Sequence, residues 1–228
     1  MQKTLSTIRP AFWPDLNYFW QIARCDYVLL TDHLLYVKQT DITVSAPFQE
    51  ERQRLRIPVR HTGRSETIAA KKMDNFHAWR QDHLKALQTI FASAPFAYLY
   101  LPQIKALYET EDNSLSAFLQ ALIQKQMEWL HIASVLIPTS RLETTGTAEA
   151  FIIRQCGQRD CAKYLAEPAV FDRGWVDKKK LKQAGILAEP FRPMPDVHIL
   201  SANSALAALS FLMQFGPEAG YLLRQFGE

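Results

Sequence analysis

Residues 4–32, TLSTIRPAFWPDLNYFWQIARCDYVLLTD, carry the pattern that decides the fold of this chain. Two short apolar runs, residues 4–8 and Tyr27–Leu30, lie on either side of a segment whose apolar residues recur at helical spacing after Pro14 and Asp15. A strand, a helix and a second strand with a combined length of about 30 residues form one βαβ crossover, which joins parallel strands. This opening stretch therefore predicts a parallel sheet.

Two further apolar runs, residues 133–137 and 163–165, follow stretches with helical character. This alternation predicts an α/β fold, with a mostly parallel sheet in a Rossmann-like arrangement covered by helices. In such a sheet the ligand crevice lies beyond the carboxyl ends of the strands. The polar residues that follow the four runs are Arg9, Asp32, His33, Thr139, Ser140, Arg141 and Glu167.

We expect one domain over residues 1–228, with a helical insertion at residues 74–131. Within the insertion, apolar residues at steps of three and four predict an amphipathic helix. Its apolar face comprises Phe76, Trp79, His83, Leu87 and Ile90. Before it, residues 54–60 alternate between arginine and aliphatic side chains, and Pro58 cannot donate to a ladder, which predicts an edge strand or the end of a strand. The arginines of that strand face either an anionic ligand or solvent.

Composition excludes several classes of function. The formal net charge of +3 on 228 residues is too small to indicate a nucleic-acid partner. No apolar run approaches the roughly 20 residues that span a bilayer, and residues 1–9 lack the apolar segment of a secretory signal. We therefore expect a cytoplasmic protein without a membrane span. The cysteines Cys25, Cys156 and Cys161 have no second Cys/His pair beside them, which predicts free thiols, and no metal or cofactor is indicated.

Three features are candidates for chemistry, and each has a structural alternative. His83 lies in an apolar stripe, where a histidine is either a proton-transfer group or a core residue with one satisfied hydrogen bond. Asp32 and His33 could form an acid–base pair, although adjacent residues on an extended chain point to opposite sides and rarely serve one site. The hydroxyls and guanidinium of residues 139–141 suit a phosphate or carboxylate, or simply cap a helix.

Several short motifs also occur in a characteristic order. The first are Ile8-Arg9-Pro10, Phe12-Trp13-Pro14, Asn17-Tyr18-Phe19, Cys25-Asp26-Tyr27-Val28 and Tyr36-Val37-Lys38-Gln39-Thr40. The later ones are Trp79 with His83, Ala94-Pro95-Phe96, Thr139-Ser140-Arg141-Leu142, Tyr164-Leu165 and Gly216-Pro217-Glu218-Ala219. In content and order these motifs resemble the WbqC-like family of bacterial proteins over essentially the whole chain.

The resemblance implies a function in surface-polysaccharide metabolism, because members of that family are commonly encoded among genes for O-antigen and related glycans. It suggests a transferase that acts on an activated sugar, with acyl or aminoacyl transfer to an amino sugar as one form of the reaction. The small-molecule partner would be the activated sugar or an acyl donor. We expect His83 and Asp32 to be catalytic. The expected substrate-binding residues are Arg9, Lys38, Gln39, Trp79, Thr139, Ser140, Arg141 and Glu167.

The chain departs from the family pattern at polar positions. Arg9 stands where the family usually has Gln, and residues 41–44 replace a Trp/Tyr-Arg-Asn-Arg element. Ala166-Glu167 replaces Ser-Gly, and Ser210 and Gln214 replace Asp and Asn. These changes fit either altered specificity or lost activity. The alternative to a transferase is therefore a non-catalytic binding or scaffolding paralogue that retains the fold.

Overall fold

Five parallel strands form one sheet in the computed structural model, which describes residues 2–37, 41–45, 52–76, 78–194 and 208–225. The strands are β1 (Lys3–Ile8), β2 (Tyr27–Leu30), β3 (Asp41–Ser45), β4 (Arg52–Arg56), β5 (Val135–Pro138), β6 (Cys161–Ala166) and β7 (Leu187–Pro190). The five-stranded sheet has the order β5-β2-β1-β6-β7, and all its neighbouring pairs are parallel. The predicted α/β fold with a parallel, Rossmann-like sheet is confirmed.

Two features of the strands differ from the prediction. The strand expected at residues 54–60 instead covers Arg52–Arg56, as β4. It pairs antiparallel with β3, which was not predicted, in a separate two-stranded sheet. The edge strand β7 was not predicted, because it is short and ends in Pro190 within a segment that is rich in proline. A proline is compatible with an edge position, since it has no N–H to donate to a further strand.

The described helices begin with side-chain caps at several positions. They are α1 (Leu16–Ala23), α2 (Trp79–Ile90), α3 (Ala97–Tyr108), α4 (Leu115–Trp129), α5 (Ala148–Arg159), α6 (Pro168–Asp172), α7 (Lys178–Gln183), α8 (Ala208–Phe215) and α9 (Ala219–Gln225). Asp15, Ser114 and Thr147 each accept a hydrogen bond from a backbone N–H in the first turn of α1, α4 and α5. None of the described helices combines the length and apolar character needed to cross a bilayer.

The core lies on both faces of the sheet. Along β2, Val28 and Leu30 join a large cluster with α1, the helices α2 to α4 and the closing helices, whereas Leu29 faces a smaller cluster under α5 and α7. Trp79, His83, Leu87 and Ile90 of the predicted stripe are buried in α2. The inclusion of Phe76 was wrong, because this side chain precedes α2 and is 87% exposed.

The three cysteines are free and buried near the amino ends of the central strands. Cys25 precedes β2, Cys156 lies in α5, and Cys161 begins β6. Burial raises the pKa of Cys25 and of Cys156 to about 12, and it also raises the pKa of Cys161. These thiols are therefore protonated and shielded in the folded chain.

The closing helices pack through two glycines against the helices of residues 79–129. A Cβ atom added to Gly216 would collide with the ring of Phe96, and one added to Gly220 would collide with the backbone carbonyl of Leu130. The backbone N–H of Phe96 also donates to the carbonyl of Met213 over 3.1 Å. Two motifs of the resemblance, around Phe96 and Gly216, are thus the two sides of one packing contact.

We expect Gly220→Ala to lower the free energy of unfolding by about 1–3 kcal/mol, because the added methyl group must displace backbone rather than a flexible side chain. Gly157→Ala is the matched control, since Gly157 also lies within a helix and a Cβ atom added there would meet nothing within 4 Å. That change should stabilise the protein by about 0.5–1 kcal/mol. Urea denaturation of both variants measures the difference, and equal effects would contradict the packing contact.

Candidate functional site

A buried carboxylate, Asp32, is the centre of a polar cluster at the carboxyl ends of β2 and β5. The residue is 1% exposed and each of its carboxylate oxygens accepts two hydrogen bonds. Oδ1 accepts from the Ser140 backbone N–H over 2.7 Å and from Thr139 Oγ1 over 3.1 Å. Oδ2 accepts from Ser116 Oγ over 2.8 Å and from Ser140 Oγ over 2.7 Å. We call Asp32, Ser116, Thr139 and Ser140 the Asp32 cluster.

The parallel pairing of β2 and β5 brings this cluster together. Leu30 pairs with Pro138, so that the turns after both strands begin at the same edge of the sheet. Asp32 and Thr139 follow directly, the latter in a short 3-10 turn, Thr139–Arg141. The sequence therefore indicated three members of the cluster correctly as neighbours. Ser116 was missed, because nothing distinguishes a serine in the first turn of α4 from an ordinary helix-start residue.

His33 belongs to the same edge of the sheet. Its Nδ1 lies 2.6 Å from Thr139 Oγ1, and its ring centroid lies 6.0 Å from that of Phe151. Asp32 and His33 occupy a turn, not an extended strand, so both contact Thr139. The expectation that adjacent residues would point apart was wrong for this reason. Burial lowers the pKa of His33, although the charge of Asp32 opposes this effect.

Arg9 follows β1 at the edge where β2 also ends. Its Nη2 donates to the carbonyl of Leu35, while its Nε is buried and has no hydrogen-bond partner in the part of the chain that the structure describes. No carboxylate of a described residue forms an ion pair with this guanidinium. Desolvation lowers the pKa of Arg9. A partly buried cation with an unused N–H is suited to an anionic ligand.

Glu167 and Arg141 are exposed at the ends of their strands. Glu167 follows β6, which pairs with β1, and its charge acts on Tyr18, whose hydroxyl donates to the Arg9 carbonyl over 3.0 Å. Burial, together with the negative charge of Glu167, raises the pKa of Tyr18. Glu167 therefore lies on the Arg9 side of the crevice. Lys38 and Gln39, the other two expected binding residues, lie outside the described part of the chain.

His83 lies in the aromatic core and is 5% exposed. Its ring stacks on Phe12 at 5.7 Å and meets Trp79 at 5.1 Å. Its Nε2 lies 3.1 Å from both the backbone nitrogen and the carbonyl oxygen of Arg56. Among the described contacts, none joins His83 or Trp79 directly to the Asp32 cluster. This environment favours a packing role, and the role of His83 as a general base stays a prediction.

The loop after β1 turns at a tryptophan instead of at glycines. Trp13 has a φ of 43°, is fully buried, and donates its Nε1–H to the Tyr108 hydroxyl over 3.1 Å. A bulky residue in this left-handed conformation costs about 1–3 kcal/mol, which complete burial offsets. The loop thus differs from the glycine-rich phosphate loops of dinucleotide-binding folds.

A separate cavity of about 350 Å³ lies on the sheet. Its lining residues are Gln2, Thr4, Arg24, Lys163, Tyr164, Leu165 and Glu189. None of the expected site residues contributes to it. Within the described ranges, no group of three or more His, Cys, Asp or Glu side chains has the geometry of a metal site.

The fold and the site together define an α/β protein with a polar crevice at the carboxyl ends of a parallel sheet. The chain belongs to the WbqC-like protein family, whose family model matches residues 9–218. The resemblance of the sequence motifs is thereby confirmed. Comparisons with curated proteins and with solved structures give no match.

We expect Asp32→Ala to lower the free energy of unfolding by about 2–4 kcal/mol, because four hydrogen bonds are lost and the donors of Ser116 and Ser140 are left without their acceptor. Ser116→Ala removes one of these donors and should cost about 1–2 kcal/mol. Asp172→Ala, at an exposed aspartate, is the control and should stay within about 0.5 kcal/mol of wild type. Chemical denaturation measures all three, and an Asp32 variant as stable as the control would contradict the cluster.

The free energy of unfolding should decrease as the pH falls, and His83 should account for part of this decrease. Burial lowers the pKa of His83 to about 4, below the value of about 6.5 in an unfolded chain. Between these pH values the unfolded chain binds the extra proton, so stability is lost as the pH falls through this window, by up to about 3 kcal/mol. We expect His83→Gln to lack this part of the pH dependence. Denaturation curves from pH 4 to 7 test this, and parallel pH profiles would count against it.

Proposed function

We propose that this protein is a transferase of bacterial surface-polysaccharide biosynthesis, of the O-antigen type, which moves an acyl or aminoacyl group onto an amino sugar. Membership of the WbqC-like family supports the assignment to surface glycans. The observation that carries the proposal is the convergence of Arg9 and the Asp32 cluster at one edge of a parallel sheet. Such edges are where open α/β sheets bind their ligands.

Arg9 supports an anionic substrate. Its buried Nε–H has no acceptor among the described residues, and a buried donor without a partner costs about 1–3 kcal/mol. A phosphate oxygen of a nucleotide-activated sugar, or of a phosphorylated acyl carrier, supplies such an acceptor with the complementary charge. The departure from the family's Gln at this position would then select a more negatively charged substrate.

Asp32 has a positioning role in this proposal. Its two oxygens are saturated by hydroxyl and backbone donors of the protein, which leaves little capacity for exchanging a proton with a substrate. The carboxylate instead fixes the turns after β2 and β5 relative to α4. The substrate-facing groups are the side chains held around it, including the Ser140 hydroxyl and the neighbouring His33.

The same saturation favours the second candidate, a non-catalytic binding or scaffolding paralogue. A buried carboxylate that is satisfied wholly within the protein maintains the fold without any substrate. The two candidates differ in ligand binding, because a paralogue that has lost its site has no reason to bind an activated sugar or an acyl donor.

We expect at least one member of a panel of nucleoside diphosphate sugars and acyl-coenzyme A thioesters to raise the melting temperature. A ligand at about 100 times its Kd stabilises the native state by roughly 2.7 kcal/mol, which corresponds to several degrees. Arg9→Gln should lose most of this shift, because it removes the cation and restores the amide that is usual in the family. Differential scanning fluorimetry provides the measurement.

Arg224→Gln is the matched control for the loss of one positive charge. Arg224 lies in α9 and donates to the carbonyl of His131 over 3.3 Å, at the amino end of β5 and so away from the crevice. This variant should keep the full shift. If no compound of the panel stabilises the wild-type chain, the transferase proposal fails and the non-catalytic paralogue is favoured.

A further inference from the structure

The hydroxyl of Thr139 has more close neighbours than it has protons. Its Oγ1 lies 2.8 Å from the Leu30 carbonyl oxygen, 3.1 Å from Asp32 Oδ1 and 2.6 Å from His33 Nδ1. A threonine hydroxyl has one proton to donate, and carbonyl and carboxylate oxygens only accept. If that proton pointed at His33, lone pairs would face each other across both short oxygen–oxygen contacts. The Thr139 proton is therefore directed at these oxygens, and His33 Nδ1 donates to Thr139.

This hydrogen-bond pattern fixes the tautomer of His33. A neutral imidazole carries one N–H, so a ring that donates through Nδ1 has a lone pair on Nε2. No described residue forms a hydrogen bond with His33 Nε2, and this atom is not one of the buried atoms without a partner. Nε2 is therefore an unprotonated nitrogen whose lone pair is not occupied by any of the described residues.

The surroundings of His33 are suited to accepting a proton. The residue is half-buried at the edge of the sheet where Arg9 also lies, and Arg9 donates to Leu35, two residues beyond His33. Because burial lowers the pKa of His33, the ring is neutral at neutral pH. A neutral imidazole with an unoccupied Nε2 lone pair, at the same sheet edge as the Arg9 guanidinium, is suited to act as a general base.

We propose that His33 is the catalytic proton acceptor of this site and that Thr139 is its positioning residue. The proposal rests on the acyl transfer proposed above. As the lone pair of the acceptor's amine or hydroxyl forms a bond to the acyl carbon, His33 Nε2 takes the proton from that nitrogen or oxygen. The bond from the acyl carbon to its leaving group breaks, and the leaving group departs with the electron pair.

The tautomer is tested by ¹⁵N NMR of the full chain labelled at histidine. We expect His33 to carry its proton on Nδ1 at neutral pH, and Thr139→Val to lose this preference. His33→Asn identifies the signals, and it should melt close to wild type because its amide N–H can replace the Nδ1 donor. A proton on Nε2 in the wild type would overturn the proposal, as would a large fall in stability of His33→Asn, which indicates a packing role.

The reactivity of Nε2 is tested with diethyl pyrocarbonate, which acylates unprotonated imidazole nitrogen. Peptide mapping at pH 7 should find His33 modified at least tenfold faster than His83, whose Nε2 is bonded to Arg56 and buried. A compound that stabilises the protein should protect His33 from the reagent. Stabilisation without protection would overturn the role of His33. If Nε2 is reactive but no compound stabilises the chain, the proposed acyl transfer is overturned, and only the unprotonated state of His33 Nε2 is supported.

Discussion

The buried carboxylate of Asp32 is the constraint on which the site depends. A charge that is 1% exposed persists only if hydrogen bonds replace its hydration, and here the donors come from α4 and from the turn after β5. Those segments are distant in sequence, and the Asp32 carboxylate holds both of them at the edge of the sheet. The orientation of Thr139, and through it that of His33, follows from this single network.

The motifs that link the chain to its family fall into two physical groups. Phe96 against Gly216, and Phe12 against His83, are packing contacts in the core. They identify the fold, because close packing tolerates few replacements. Arg9, which departs from the usual residue of the family, lies at the crevice instead. A chain can therefore retain every packing motif of the family while its binding chemistry changes.

The sequence predicted the sheet and part of the site for reasons that depend on short-range patterns. Apolar runs marked β1, β2, β5 and β6, and parallel pairing placed Asp32 beside Thr139. Ser116 reaches the cluster through the packing of α4, which no local pattern encodes. The spacing of apolar residues at steps of three and four correctly predicted the buried face of α2 that contains His83. This spacing does not distinguish a core histidine from a catalytic one. The sequence did not indicate that His33 and Asp32 belong to one site, because adjacent residues point apart in a strand, whereas these two lie in a turn.

The buried thiols provide a built-in reporter at the end of the sheet opposite the crevice. Cys25, Cys156 and Cys161 are protonated and shielded, so an alkylating reagent at neutral pH reacts with them only after that end opens. The labelling rate thus measures local opening at the amino ends of the strands. A ligand bound at the carboxyl ends slows labelling only if the two ends open as one cooperative unit, and labelling therefore measures how far rigidity extends along the sheet.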